Sequence, residues 1–300
     1  MTPSWRLGPL WVALAGCAHV LDIPDDPELV ATGPWRCLGE PQPTPVPAAS
    51  SALVEVIACD LVTKCKTRVT GLSARLCARP DTDCDSPLSV DIVDEGGLLS
   101  FTVPTPLVGF DGYLEVTSAS ELCTNPSLGE LGPVLCGLSP ACDTEAPDAA
   151  CEVPLYARAL LFFNPPIVSD TSEPLSLPLL PSTAIPTLAA AAHAGAPDPT
   201  AGHLFITALD CDSEPAAGVS YRIDRDQDRV TPLYPAEAVP NDTAVETDGS
   251  GIGGFLGVPA GLVRVTGNNA ELREIGAISA FAAPSTVSYT FLAPGAAASP

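Results

Sequence analysis

The chain has 300 residues, with 13 Lys plus Arg against 36 Asp plus Glu and a formal net charge of -23. That balance excludes a groove that neutralises nucleic-acid phosphates. A hydrophobic fraction of 46% excludes a solvated acidic tail, and 34 prolines argue against long helical bundles. The length fits two domains of ordinary size.

Residues 1–16 read as an export signal. Met1 to Arg6 carries one basic residue, Leu7 to Gly16 is an apolar run, and no acidic residue precedes Asp22. The run is about half the roughly 20 residues a spanning helix needs, so a transmembrane anchor is not expected. Leu14-Ala15-Gly16-Cys17 resembles the lipobox of bacterial lipoproteins. The resemblance implies cleavage before Cys17 and acylation of both its sulfur and the new amino terminus. Ala18 replaces the Asp that retains enteric lipoproteins at the inner membrane, which favours the outer membrane, facing the periplasm or the exterior. An apolar N-terminal strand ending in a buried Cys is the competing reading.

Setting Cys17 aside leaves ten of 11 cysteines, an even number suited to an oxidising compartment. Spacing suggests the local pairs Cys59 with Cys65, Cys77 with Cys84, Cys123 with Cys136, and Cys142 with Cys151. Elimination then leaves Cys37 with Cys211. Zinc is not expected, because no C-x-x-C pair occurs and His19, His193 and His203 form no H-x₃₋₅-H pair.

Residues 17–51 are a proline-rich stalk, with alternating prolines at 41, 43, 45 and 47 that favour polyproline II. From Leu53 onward, short alternating runs bounded by Gly, Pro and Asp predict half-buried strands. The runs repeat. Leu53 to Cys59 parallels Leu204 to Cys211, and Gly71 to Leu76 parallels Gly218 to Ile223. Asp94-x-x-Gly97-x-x-x-Phe101 matches Asp248-x-x-Gly251-x-x-x-Phe255, each followed by Val-Pro. Leu114 to Thr117 corresponds to Val263 to Thr266, Tyr156 to Phe163 to Ile275 to Phe281, and Leu175 to Leu180 to Val287 to Leu292. One β domain has been duplicated. In each Asp-x-x-Gly turn, Asp bonds downstream backbone, Gly takes positive φ, and Phe enters the core.

Thr247-Asp248 through Phe255 to Pro259-Ala-Gly261 resembles the turn of carboxypeptidase regulatory-like and transthyretin-like sandwich domains. Val93 replaces its Thr in the first copy, where the Pro-x-Gly turn gives way to the longer Pro104 to Gly112 loop. The resemblance implies a mainly β fold of two tandem antiparallel sandwiches, at 52–181 and 203–294. Between them, 182–202 is a linker whose Ala-rich Thr183 to His193 predicts a short helix. Residues 295–300 are a tail. An insertion at 121–152, holding four Cys, interrupts the first copy and is a candidate partner-contacting surface.

Motifs that might carry chemistry fail on context. Gly249-Ser-Gly251-Ile-Gly253-Gly254 has the spacing of a dinucleotide loop, but Phe255 to Pro259 continues it as a strand and not as a helix. Asp81, Asp83 and Asp85, and Asp224, Asp226 and Asp228, alternate as in calcium loops. Ser86 and Ile92, and Arg229 and Pro235, then stand where Gly and Glu are required. No catalytic residue, metal or cofactor is assigned, and no nucleic acid is expected as a partner. The sequence reads as a lipid-anchored cell-envelope protein, a non-enzymatic structural or protein-binding module. A carbohydrate-binding module using Trp35, Tyr113, Tyr156, Tyr221 or Tyr234 is the alternative, and an envelope hydrolase a more remote one. Its partners are the membrane, through the anchor, and an unidentified envelope protein or glycan.

Overall fold

The structure is a computed structural model and describes residues 33–38, 49–93, 96–118, 120–122, 152–225, 229–236, 239–240 and 243–295. Cys17, Asp94, Cys123, Cys136, Cys142 and Cys151 lie outside the described residues. The first half runs through β1 (Ser51–Asp60), β2 (Leu72–Ala78), β3 (Ser89–Ile92), β4 (Leu98–Pro104), β5 (Gly112–Ser118), β6 (Ser120–Leu122), β7 (Glu152–Pro154), β8 (Arg158–Phe162) and β9 (Leu175–Leu179). A helix, α1 (Ala184–Ala191), follows. The second half holds β10 (Ala201–Ala208), β11 (Ser220–Ile223), β12 (Thr231–Leu233), β13 (Pro235–Ala236), β14 (Val239–Pro240), β15 (Ile252–Pro259), β16 (Gly261–Asn268), β17 (Glu274–Ala282) and β18 (Thr286–Leu292). The protein is mainly β.

Period-two alternation explains most of these strands: β1 buries Ala52, Val54, Val56 and Ala58 while Ser51 and Leu53 face solvent. Each half has the same topology. In the first, β1 pairs antiparallel with β4 and parallel with β9. In the second, β10 pairs antiparallel with β15 and parallel with β18. A second layer is antiparallel in both, β2-β5-β8 and β11-β16-β17.

Two separate antiparallel sandwiches are what the sequence predicts; the structure instead fuses the halves and mixes strand directions. β18 lies parallel to β8, from Thr286 opposite Arg158 to Tyr289 opposite Leu161. One eight-stranded sheet therefore runs β12-β15-β10-β18-β8-β5-β2-β3 through both copies. The physical reason is visible in the two central strands, which are buried on both faces. Parallel strands of this kind read as continuous apolar runs, as Ala159-Leu160-Leu161-Phe162 does.

The sheet separates two cores. On one face Leu72, Leu114, Leu161, Val287 and Phe205 meet the β4-β1-β9 sheet. On the other, Tyr113, Leu160, Phe162, Ile206 and Phe255 meet the β11-β16-β17 sheet. The second core crosses the junction. Phe281 of β17 packs edge-on against Tyr113 and Phe162, at centroid distances of 5.0 and 4.9 Å. Arg79 sits over the Phe162 ring and donates to the Ser279 carbonyl at 2.6 Å, and Asn164 donates to the Phe291 carbonyl at 2.9 Å.

Disulfides join Cys37 to Cys211, Cys59 to Cys65 and Cys77 to Cys84. The first closes a separation of 174 residues. It fixes residues 33–38, which the sequence places in the stalk, onto the second half as a turn. There Arg36 pairs with Asp212, the Cys211 N–H donates to the Pro34 carbonyl at 3.0 Å, and Arg273 donates to the Leu38 carbonyl at 3.2 Å.

Because Phe281 belongs to one half and its ring neighbours to the other, Phe281→Ala should cost about 3–5 kcal/mol. Urea unfolding followed by circular dichroism should show one cooperative transition moved to lower urea. Two separated transitions in the parent protein would contradict the fused sheet.

Candidate functional site

α1 lies against the face of β10, β15 and β12 opposite the second core. Leu188 and Ala189 of the helix join the core formed by Phe205, Leu233 and Leu256. Pro186 is accommodated in the first turn, where its missing N–H is not needed. An eight-residue helix cannot cover the whole face, and a cavity opens on each of its sides.

The larger is a crevice of about 620 Å³ between the two halves. Leu180, Leu188, Phe205, Leu233, Ile252 and Phe291 form its apolar wall, and the hydroxyl residues Ser176, Thr207 and Ser250 also line it. Its rim is the disulfide-closed loop after β1, which contributes Leu61, Val62 and Lys64. The smaller cavity, about 550 Å³, lies past Ala189 and contains Asp198, His203, Gly257 and Arg229. Asp198 Oδ1 accepts the N–H and hydroxyl of Thr200 at 2.8 and 2.7 Å, and these two bonds hold its carboxyl below the usual range. His203 is buried beside a register shift in β10, and its Nδ1 accepts the Gly257 N–H at 3.4 Å. Burial pushes the imidazole down to about 4, so it is neutral at pH 7.

Other ionisable groups serve the scaffold. Glu115 is 2% exposed and receives Arg75 at 2.6 Å and Arg158 at 2.5 Å, three strands cross-linked by one carboxylate. Glu115 also lies near Cys77 and Cys84, the one grouping of metal-ligand residue types among the described residues. That donor set does not suit a metal, since both sulfurs are in a disulfide and both carboxylate oxygens face guanidinium groups. In the acidic loops, Asp81 accepts the N–H groups of Asp85 and Ser86 at 3.1 and 2.9 Å, and Asp224 accepts that of Arg264 at 2.9 Å. Asp81 thus caps its own turn and Asp224 ties its loop to β16, while Asp226 and Asp228 lie outside the described residues.

In the second Asp-x-x-Gly turn, Asp248 Oδ1 accepts the Ser250 N–H at 2.8 Å. Gly251 has φ +68°, a Cβ there would lie 2.6 Å from the Ala208 carbonyl oxygen, and Phe255 is buried. Gly97 has φ +73° and Phe101 is buried in the other copy. The tyrosines named as a sugar platform are largely internal. Tyr113, Tyr221 and Tyr234 are buried, and the last two stack with centroids 6.0 Å apart. Of the insertion, only its ends are described, paired as β6 and β7.

Sequence reasoning did not single out Lys64, Ser176, Thr207 or Leu188, because they meet only through the packing of two halves. One signal was present: Lys64 and Lys66 are the sole lysines of the sequence.

No family model matches the chain, and no curated protein sequence matches it significantly. Among solved structures, the Bacillus anthracis TIE protein is 11% identical with a TM-score of 0.23, over 81% of this chain and 34% of that one. The chain thus spans about a third of that protein's length. The shaft pilin SpaA of Lactobacillus rhamnosus GG is 10% identical with a TM-score of 0.21, over 82% and 98% of the two chains. A streptococcal ancillary pilin is 13% identical with a TM-score of 0.20, over 81% and 68%. Similarity at this level assigns neither family nor activity. Among the described residues, no helix is long and apolar enough to cross a membrane.

The His203 environment sets a pH response. Between about pH 6.5 and 4 the unfolded chain binds a proton at this residue that the folded protein does not, so the stability it contributes is present above 6.5 and lost on acidification. Between pH 7.5 and 4.5 the parent protein should lose about 2 kcal/mol more than His203→Gln, measured by urea midpoints at the two pH values. Equal losses would show that His203 is protonated in the folded state.

Proposed function

We propose that this chain is an exported, lipid-anchored cell-envelope protein that acts as a non-enzymatic structural or binding module. The observation that carries the reading is the use of its buried polar groups. Glu115 is saturated by two arginines, His203 is a neutral acceptor for backbone, and the Tyr113 hydroxyl donates to the Asp81 carbonyl at 2.5 Å. Burial raises that phenol to about 12. Each group holds strands or turns together, and none is paired as nucleophile with base.

Export is supported by three disulfides among the described residues and, with Cys17 set aside, by four further cysteines, an even number. Attachment through Cys17 is supported by the lipobox-like Leu14-Ala15-Gly16-Cys17, and the outer membrane by Ala18. Dual or triple acylation there anchors stably, at about 0.8 kcal/mol per buried CH₂. In this reading the tether joins the folded part at residues 33–38, on the second half. The insertion 121–152, of which only the ends are described, is in this reading the part that contacts an envelope protein. Two tandem domains of transthyretin-like type, sharing a sheet, are the finer fold assignment. A glycan-binding surface remains the second reading, with Tyr156 and Trp35 as its partly exposed aromatics.

The anchor has a direct test. Cells expressing the protein should incorporate labelled palmitate into it, and the material should enter the detergent phase on partitioning. Cys17→Ser should abolish the label and move the protein to the aqueous phase. A parent protein that retains residues 1–16 and stays aqueous would contradict the reading.

A further inference from the structure

We propose that the crevice between the halves binds an amphipathic monoanion, an apolar aromatic or aliphatic body carrying one acidic group that pairs with Lys64. Its volume of about 620 Å³ falls within the 300–1,000 Å³ usual for small-molecule sites, and it lies where two units join. Leu188, Phe205, Leu233 and Ile252 supply the apolar wall that would take the body of the ligand. Lys64 is the one charged side chain in the lining. It has no ion-pair partner among the described residues. In a protein of net charge -23 with only two lysines, both of them in this loop, an uncompensated cation at an apolar opening gives the site its charge preference.

The rim is built to hold that cation in place. The Cys59–Cys65 disulfide closes the loop, Asp60 Oδ1 accepts the Thr63 N–H at 3.0 Å, and the Thr63 hydroxyl accepts the Thr67 N–H at 3.2 Å. Lys64 and Cys65 follow with φ of +54° and +56°, successive non-glycine residues in the left-handed region. Such strain persists where the surroundings over-determine it, and a rigid rim lowers the ordering cost of binding. Val62, on the same rim, is 63% exposed and extends the apolar surface outward.

A small molecule fits this site better than an added peptide strand. The Leu61 N–H donates to the Leu179 carbonyl, so odd-numbered residues of β9 face β1, and Ser176 and Pro178 turn their backbone groups outward along the crevice. Pro178 has no N–H, and Pro174 removes the donor two residues before Ser176. An incoming strand would find one donor where a ladder needs several.

The test uses two fluorescent probes with similar aromatic bodies, anilinonaphthalene sulfonate and uncharged phenylnaphthylamine. Both should bind the intact protein with one-to-one stoichiometry. Ser176→Trp, at an exposed lining position, should weaken both at least about tenfold by filling the crevice. Lys64→Gln should weaken the sulfonate about fivefold and leave the amine within about twofold, while Lys66→Gln changes neither. Failure of the parent protein to bind, or undiminished binding by Ser176→Trp, would overturn the site. An equal response of the two probes to Lys64→Gln would overturn the role of Lys64. Circular dichroism of each variant separates these outcomes from unfolding.

Discussion

The parallel pairing of β8 with β18 is the constraint on which the rest of the structure depends. Placing these two strands side by side puts both at the middle of an eight-stranded sheet, with a core on each face. Their side chains must then be apolar or small. β8 supplies Ala159, Leu160, Leu161 and Phe162, and β18 alternates Val287 and Tyr289 with Thr286, Ser288 and Thr290. Two of these three hydroxyls find local acceptors, Ser288 at the Phe281 carbonyl and Thr286 at the Ala283 carbonyl. From this junction follow the aromatic contact of Phe281 with Tyr113 and Phe162, the sheet face on which α1 lies, and the two cavities flanking the helix.

The repeated topology makes the junction asymmetric. The strand that β18 uses in the second copy corresponds to β9 in the first, and the strand that β8 uses in the first corresponds to β17 in the second. A head-to-tail contact of this kind leaves equivalent edges at both ends, and heterologous contacts can in principle continue. Here each leftover edge is blunted. Proline at 174 and 178 removes outward donors along β9, at positions equivalent to Thr286 and Thr290 of β18. On β17, Arg79 occupies the Ser279 carbonyl and Ser288 that of Phe281. Proline and side-chain capping are two of the devices by which sheet edges avoid unwanted pairing.

The strands, the shared topology of the two halves and the helix were legible because each rests on local pattern. Alternation marks β1 and β11, the Asp-x-x-Gly spacing aligns β4 with β15, and an Ala-rich segment between Pro181 and Gly195 marks α1. The shared sheet was not legible, since pairing between strands more than 120 residues apart depends on which edges remain free after each half folds. The continuous apolar run at β8 was the available hint, because a half-exposed edge strand would alternate. The parallel partners of β1 and β10 were hidden for the same reason. The stalk assignment missed the turn at 33–38, whose Trp35 and Leu38 pack on the second core only once residue 211 is in place. The crevice was unreadable because its walls come from six separated stretches of chain, whereas the turn residues Gly251 and Phe255 act where they stand.

Native-state hydrogen exchange read by mass spectrometry tests the fused sheet most directly. Backbone amides of β8 and β18 should be the slowest in the protein and should share one opening free energy, falling together as denaturant is added. Exchange of β10, β15 and β18 through a separate, lower-energy opening while β2, β5 and β8 stay protected would show two independent domains and contradict the account.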